Sequence, residues 1–128
     1  MLFRSGLQIA GRILRDGGLV GFPTETVYGL GGNALDSSAA SRIFAAKGRP
    51  PDNPLIAHLP GVDHLDGLAS ATPLALRLAE EFWPGPLTIV LDAHPHVPRT
   101  TTAGLSTVAI RVPDHPVAIA LQIGRAHV

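Results

Sequence analysis

The chain has no cysteine, which excludes a disulfide framework and a thiolate metal site. Lysine is almost missing: Lys47 stands alone beside nine arginines. An excess of either charge is missing too. Ten basic and ten acidic residues cancel. That excludes a surface built wholly for nucleic acid and leaves room for a local basic patch. No run approaches the roughly 20 apolar residues of a membrane helix. Arg4, Arg12, Arg15 and Asp16 interrupt what would be the apolar core of a signal peptide. A reducing cytoplasm is the expected compartment. Standard nucleotide loops are absent as well. Gly29-Leu30-Gly31-Gly32 lacks the dinucleotide spacing, and no G-x-x-x-x-G-K-[ST] occurs. There is no G-x-S-x-G elbow and no thiol nucleophile.

What is present suits one domain with a packed core. The chain has 128 residues, 45% apolar, with a mean hydropathy of +0.25. Leu7, Ala10, Ile13 and Leu14 follow a helical period that Gly17-Gly18 ends. Residues 19–22 read as a short buried strand closed by Pro23. Residues 24–33 read as a glycine-rich loop. Asp36 or Ser37 can cap a helix running to Ala46, with Gly48 as its stop. Pro50, Pro51 and Pro54 exclude regular structure in 48–54. A strand is expected at 55–59 and a short helix at 62–68. A helix from Pro73 carries Leu74, Leu78 and Phe82 four residues apart. Trp83-Pro84-Gly85-Pro86 ends it, and a strand follows at 87–91. Residues 94–106 read as loop, 107–112 as an alternating strand, and 116–121 as a helix. Strands alternating with helices predict an α/β layer fold.

The 107–112 strand has the clearest geometry. A period of two puts Val108, Ile110 and Val112 on one face and Thr107, Ala109 and Arg111 on the other. Thr107 and Arg111 then lie about 13 Å apart, enough to touch two ends of a nucleotide-sized ligand. A half-exposed strand with one solvated arginine fits the same pattern. Lys47 and Arg49, at a helix end and in the loop after it, suit phosphate or carboxylate. On their own they suit a helix C-terminus and an exposed loop better. Glu25 lacks a second carboxylate nearby in sequence for acid–base work. His94-x-His96 is the only close histidine pair, and no carboxylate cluster beside it completes a ligand set, so no metal site is expected. His58, alone, reads as a partly buried histidine.

Five motifs occur in one order: Pro23-Thr24-Glu25-Thr26-Val27-Tyr28-Gly29-Leu30-Gly31, Lys47-x-Arg49-Pro50, Asn53-Pro54-Leu55-Ile56-x-His58, Pro84-Gly85-Pro86-Leu87-Thr88 and Val108-Ala109-Ile110-Arg111-Val112-Pro113. In them the chain resembles the threonylcarbamoyl-AMP synthase family, or YrdC-like domains, from about Ile9 to Leu121. The resemblance implies a twisted mixed sheet with flanking helices. It implies a reaction of threonine, bicarbonate and ATP that gives threonylcarbamoyl-AMP and pyrophosphate, for modification of tRNA. By motif position, Lys47 and Arg49 would be half of a Lys-Arg-Ser-Asn active-site set. Arg49, Asn53 and Thr107 would face ATP. Thr26, His58 and Arg111 would hold threonine. Mg2+ would arrive with the triphosphate rather than in a protein cage. Proteins of tRNA modification would be partners. The alternative is a YrdC-like module that binds tRNA or double-stranded RNA without chemistry.

The family's Ser-x-Asn run, which should follow a helix near Pro116, is not in the chain, nor are the later strands. Residues 1–121 are therefore expected to be part of a YrdC-like domain. Ile123-Gly124-Arg125-Ala126-His127-Val128 is what ATC GGA AGA GCA CAC GTC encodes, a stretch of a common sequencing adapter. The natural sequence is expected to end near Leu121, with 122–128 a read-through tail. Lacking those strands, the 128 residues are expected to be weakly stable and nearly inactive. Genomic DNA read past the Leu121 codon is expected to continue into a Ser-x-Asn run. A gene ending at Val128 would refute that.

Overall fold

The computed structural model describes residues 2–22, 29–48, 50 and 52–115. Helix α1 is Leu2–Arg15, followed by strands β1, Val20–Phe22, and β2, Gly29–Gly31. Helix α2 is Ser37–Lys47 and strand β3 is Ile56–His58. A 3-10 helix, Val62–Gly67, leads to α3, Pro73–Phe82, then β4, Ile89–Asp92, and β5, Thr107–Arg111. No helix among the described residues is long and apolar enough to cross a membrane.

The helices end where their chemistry dictates. The α1 terminus closes with Gly17 N–H on the Leu14 carbonyl and Gly18 N–H on the Ile13 carbonyl, around Gly17 at φ 87°. This is a Schellman stop. Arg42 of α2 donates to the Gly17 carbonyl and so ties the two helices. Asp36 caps α2 by accepting from Ser38 and Ala39, and Gly48 ends it in the left-handed region. Thr72 caps α3 through Ala75 N–H, with Pro73 in the first turn, where no amide donor is needed.

Two sheets form. β1 and β2 make an antiparallel pair, and β3, β5 and β4 make a mixed sheet in that order. β3 runs parallel to β5, and β4 runs antiparallel to it. Val108, Ile110 and Val112 turn into the main core with Ala57, Leu59, Leu65 and Leu68. Leu14 and Phe22 anchor a smaller cluster under α1.

Several expectations need correction. β2 lies inside the segment read as loop, because glycines carry no alternating side-chain signal and the strand exists only through its pairing with Val20–Phe22. α1 begins at Leu2 rather than Leu7. The short helix expected after β3 is present and is of the 3-10 type. The expected core face of α3 is also displaced. Leu74 is 61% and Phe82 53% exposed, Leu78 is half-buried, and Ala75 and Ala79 are buried. The small residues let α3 approach the core closely. The expected helix at 116–121 and the tail at 122–128 lie outside the described residues. Ala79→Leu is expected to destabilise the fold by about 1–3 kcal/mol through overpacking. Leu74→Ala should stay within about 0.5 kcal/mol. Urea denaturation of both variants checks the assignment.

Candidate active site

The site is built on the face of the mixed sheet turned away from the core. Residues paired across strands share a face. His58 of β3 is the Cα partner of Arg111 of β5. Ile56 and Val90 both pair with Ala109, and Asp92 pairs with Thr107. The face thus carries Asp92 and Thr107 at one end, an apolar strip of Ile56, Ala109 and Val90 in the middle, and His58 with Arg111 at the other end.

Arg111 is the decisive residue. A solvated arginine was one reading of the strand, yet Arg111 is only 8% exposed. Its Nε donates to the Gly85 carbonyl at 2.9 Å, while Gly85 N–H donates to the Val112 carbonyl at 2.8 Å. The turn after α3 therefore grips β5 beside the guanidinium. Burial pushes the Arg111 pKa down, but arginine starts so high that the group stays charged.

His58 faces a different environment. Its ring meets Phe22 edge-on, with centroids 5.9 Å apart and planes at 84°. Burial lowers its pKa from 6.5 to about 4, so the imidazole is neutral at physiological pH. Nδ1 is buried and has no hydrogen-bond partner among the described residues. A buried polar atom of this kind is poised for a ligand's donor or acceptor.

The other expected site residues are placed unevenly. Thr107 is half-buried on the same face as Arg111, as the alternation requires. Lys47 is exposed in the last turn of α2. Asn53 is exposed in the turn that its N–H closes on the Pro50 carbonyl. Thr26 and Arg49 lie outside the described residues. Sequence reasoning missed Gly85, although it lies in a recognised motif, and it missed Thr101. The Thr101 hydroxyl donates to the Ala34 carbonyl at 2.7 Å, and its own carbonyl accepts from Leu55 N–H at 3.1 Å. Ser37 and Thr100 hydroxyls meet at 2.7 Å. The segment read as loop at 94–106 therefore braces both the start of α2 and the approach to β3. His94 and His96 stack with centroids 5.9 Å apart, and His94 Nε2 lies 2.7 Å from the Asp66 carbonyl. Among the described residues no group of three His, Cys, Asp or Glu could hold a metal ion.

The family model Sua5_yciO_yrdC, described as "Telomere recombination", matches residues 12–124. The chain belongs to this family of YrdC-like domains. It is similar to the threonylcarbamoyl-AMP synthase of Pyrococcus abyssi, at 56% identity over 116 residues, covering 90% of this chain and 34% of that protein. The structure of P. abyssi Sua5 complexed with L-threonine matches at 55% identity and a TM-score of 0.89, covering 92% of this chain and 35% of that one. Escherichia coli YciO matches at 27% identity and a TM-score of 0.86, covering 97% of this chain and 62% of that one. The chain spans about a third of the length of the first of these curated relatives. The α/β fold with mixed sheet and flanking helices is that of these structures.

The His58 environment sets a pH dependence. Between pH 6.5 and about 4 the unfolded chain binds a proton that folded His58 does not. Stability therefore falls as pH drops through that window, by about 3 kcal/mol at its acid end. His58→Phe, which keeps a ring against Phe22, is expected to remove this component. Urea unfolding of both proteins at pH 7, 5.5 and 4 checks it; parallel curves would refute it.

Proposed function

We propose that the chain is the threonine- and ATP-binding part of a threonylcarbamoyl-AMP synthase, a nucleotidyltransferase. The observation that carries this reading is the buried Arg111 beside neutral His58 on adjacent parallel strands, one strand-length from Thr107. The 56% identity to the P. abyssi synthase supports it.

Threonine's amine and bicarbonate condense to a carbamate and water. A carbamate oxygen attacks the α-phosphorus of ATP, the bond to the bridging oxygen breaks, and pyrophosphate leaves. Threonylcarbamoyl-adenylate remains; a tRNA adenosine amine then attacks its carbamoyl carbon, the bond to the phosphate oxygen breaks, and AMP leaves. Arg111 binds the threonine carboxylate, since a planar guanidinium can offer paired donors. The neutral imidazole of His58 hydrogen-bonds a polar group of threonine without adding charge, and Thr26, by its motif, also binds threonine. Arg49, Asn53 and Thr107 hold ATP. Lys47 and Arg49 offset charge building on the phosphates as pyrophosphate departs.

Magnesium enters as part of the nucleotide substrate and supplies further phosphate neutralisation. The described residues offer no cage for it. The protein works in the cytoplasm with proteins of tRNA modification.

In the full-length enzyme, Lys47→Ala and Arg49→Ala are each expected to lower threonine-dependent pyrophosphate release by about 10²-fold, as loss of one preorganised charge contact does. Wild-type rates in both would remove the assignment. Salt-dependent RNA binding without threonine-dependent pyrophosphate release would identify a non-catalytic RNA module instead.

A further inference from the structure

We propose that Gly85 is a positioning residue for carboxylate recognition, its carbonyl orienting the Arg111 guanidinium and its lack of a side chain permitting that contact. The proposal rests on the reading of Arg111 as the threonine carboxylate ligand. Two hydrogen bonds bracket the end of β5. Arg111 Nε donates to the Gly85 carbonyl at 2.9 Å, and Gly85 N–H donates to the Val112 carbonyl at 2.8 Å. Using Nε for this bond fixes the plane of the guanidinium, because the group is rigid and planar. The partner is a neutral carbonyl, so the contact orients the cation without cancelling its charge.

The turn that presents Gly85 is itself held at both ends. Trp83 N–H donates to the Ala79 carbonyl at 2.9 Å, and Trp83 Nε1 donates to the Leu87 carbonyl at 2.7 Å. Gly85 is buried inside it. A Cβ at Gly85 would lie 2.7 Å from the Phe82 carbonyl oxygen, a backbone atom at the end of α3. A side chain there must therefore push the turn away from α3 and carry the Gly85 carbonyl off Arg111. Glycine is required by this close approach of two backbone segments.

The test is a double-mutant cycle in the full-length enzyme, read by L-threonine binding in calorimetry, with ATP binding as a parallel measurement. Gly85→Ala is expected to weaken threonine about tenfold, the size of coupling found between contacting residues, and to leave ATP unchanged. In an Arg111→Ala background, Gly85→Ala should cost no further affinity. Trp83→Phe loosens the turn without a clash, and it should weaken threonine in the same direction even if Gly85→Ala fails to fold. The Arg111 Nε–Hε signal should exchange slowly with solvent in the parent and rapidly in both turn variants. Full threonine affinity in the turn variants, an equal loss in the Arg111→Ala background, or a rapidly exchanging Hε in the parent overturns the role of Gly85 alone. Unchanged threonine affinity in Arg111→Ala, or no threonine binding by the parent, sinks the Arg111 reading and the proposal with it.

Discussion

A guanidinium taken out of water loses hydration that hydrogen bonds must replace, and Arg111 is buried on a sheet face whose middle is the apolar strip of Ile56, Ala109 and Val90. The Gly85 carbonyl supplies one of those bonds. Because Gly85 also donates to the strand that carries Arg111, the same contact locks the turn after α3 onto β5. β5 is the central strand of its sheet, paired with β3 on one side and β4 on the other. Fixing its end therefore fixes the end of α3, the approach to β4 and the position of His58 across the sheet. The Arg111 Nε is held by a backbone carbonyl, which restricts the orientation of the guanidinium.

The site is assembled from segments far apart in the chain. Parallel pairing of β3 with β5 joins His58 to Arg111. Thr101 ties the approach to β3 to the segment before α2 through two hydrogen bonds. Ser37 and Thr100 add a third contact to that brace. α2 then carries Lys47 on the end opposite this brace. A shift in the 94–106 segment would thus reach both the strand bearing His58 and the helix bearing Lys47.

The cations occupy two kinds of environment, and each suits a different anion. Arg111 is buried and oriented, which favours a small carboxylate of defined geometry. Lys47 is exposed at a helix end, which suits a hydrated, multiply charged phosphate group. His58 stays neutral, so it can lie beside Arg111 without repelling it. The division is consistent with the proposed amino-acid pocket and nucleotide site.

Much of this was legible in the residues. Asp36, Gly48, Thr72 and Pro73 mark their helix ends because capping is a local matter of side chain and backbone within one turn. The alternation at 107–112 marks the core face of β5 because a strand's period is intrinsic. The ordered motifs brought His58 and Arg111 forward as candidates, and the alternation placed Thr107 on the same face as Arg111. The burial of Arg111 was not legible, since the pattern alone favoured a solvated arginine. Neither were β2, whose glycines carry no alternating signal, or the true inner face of α3, where alanines displace the larger Leu74 and Phe82. The contact of Gly85 with Arg111 and the brace through Thr101 span 26 and 67 residues. The sequence by itself determined the elements that local chemistry specifies and the residues that could form a site. Only the tertiary structure decided which of them are desolvated and which touch, because those depend on partners that chain order does not bring together.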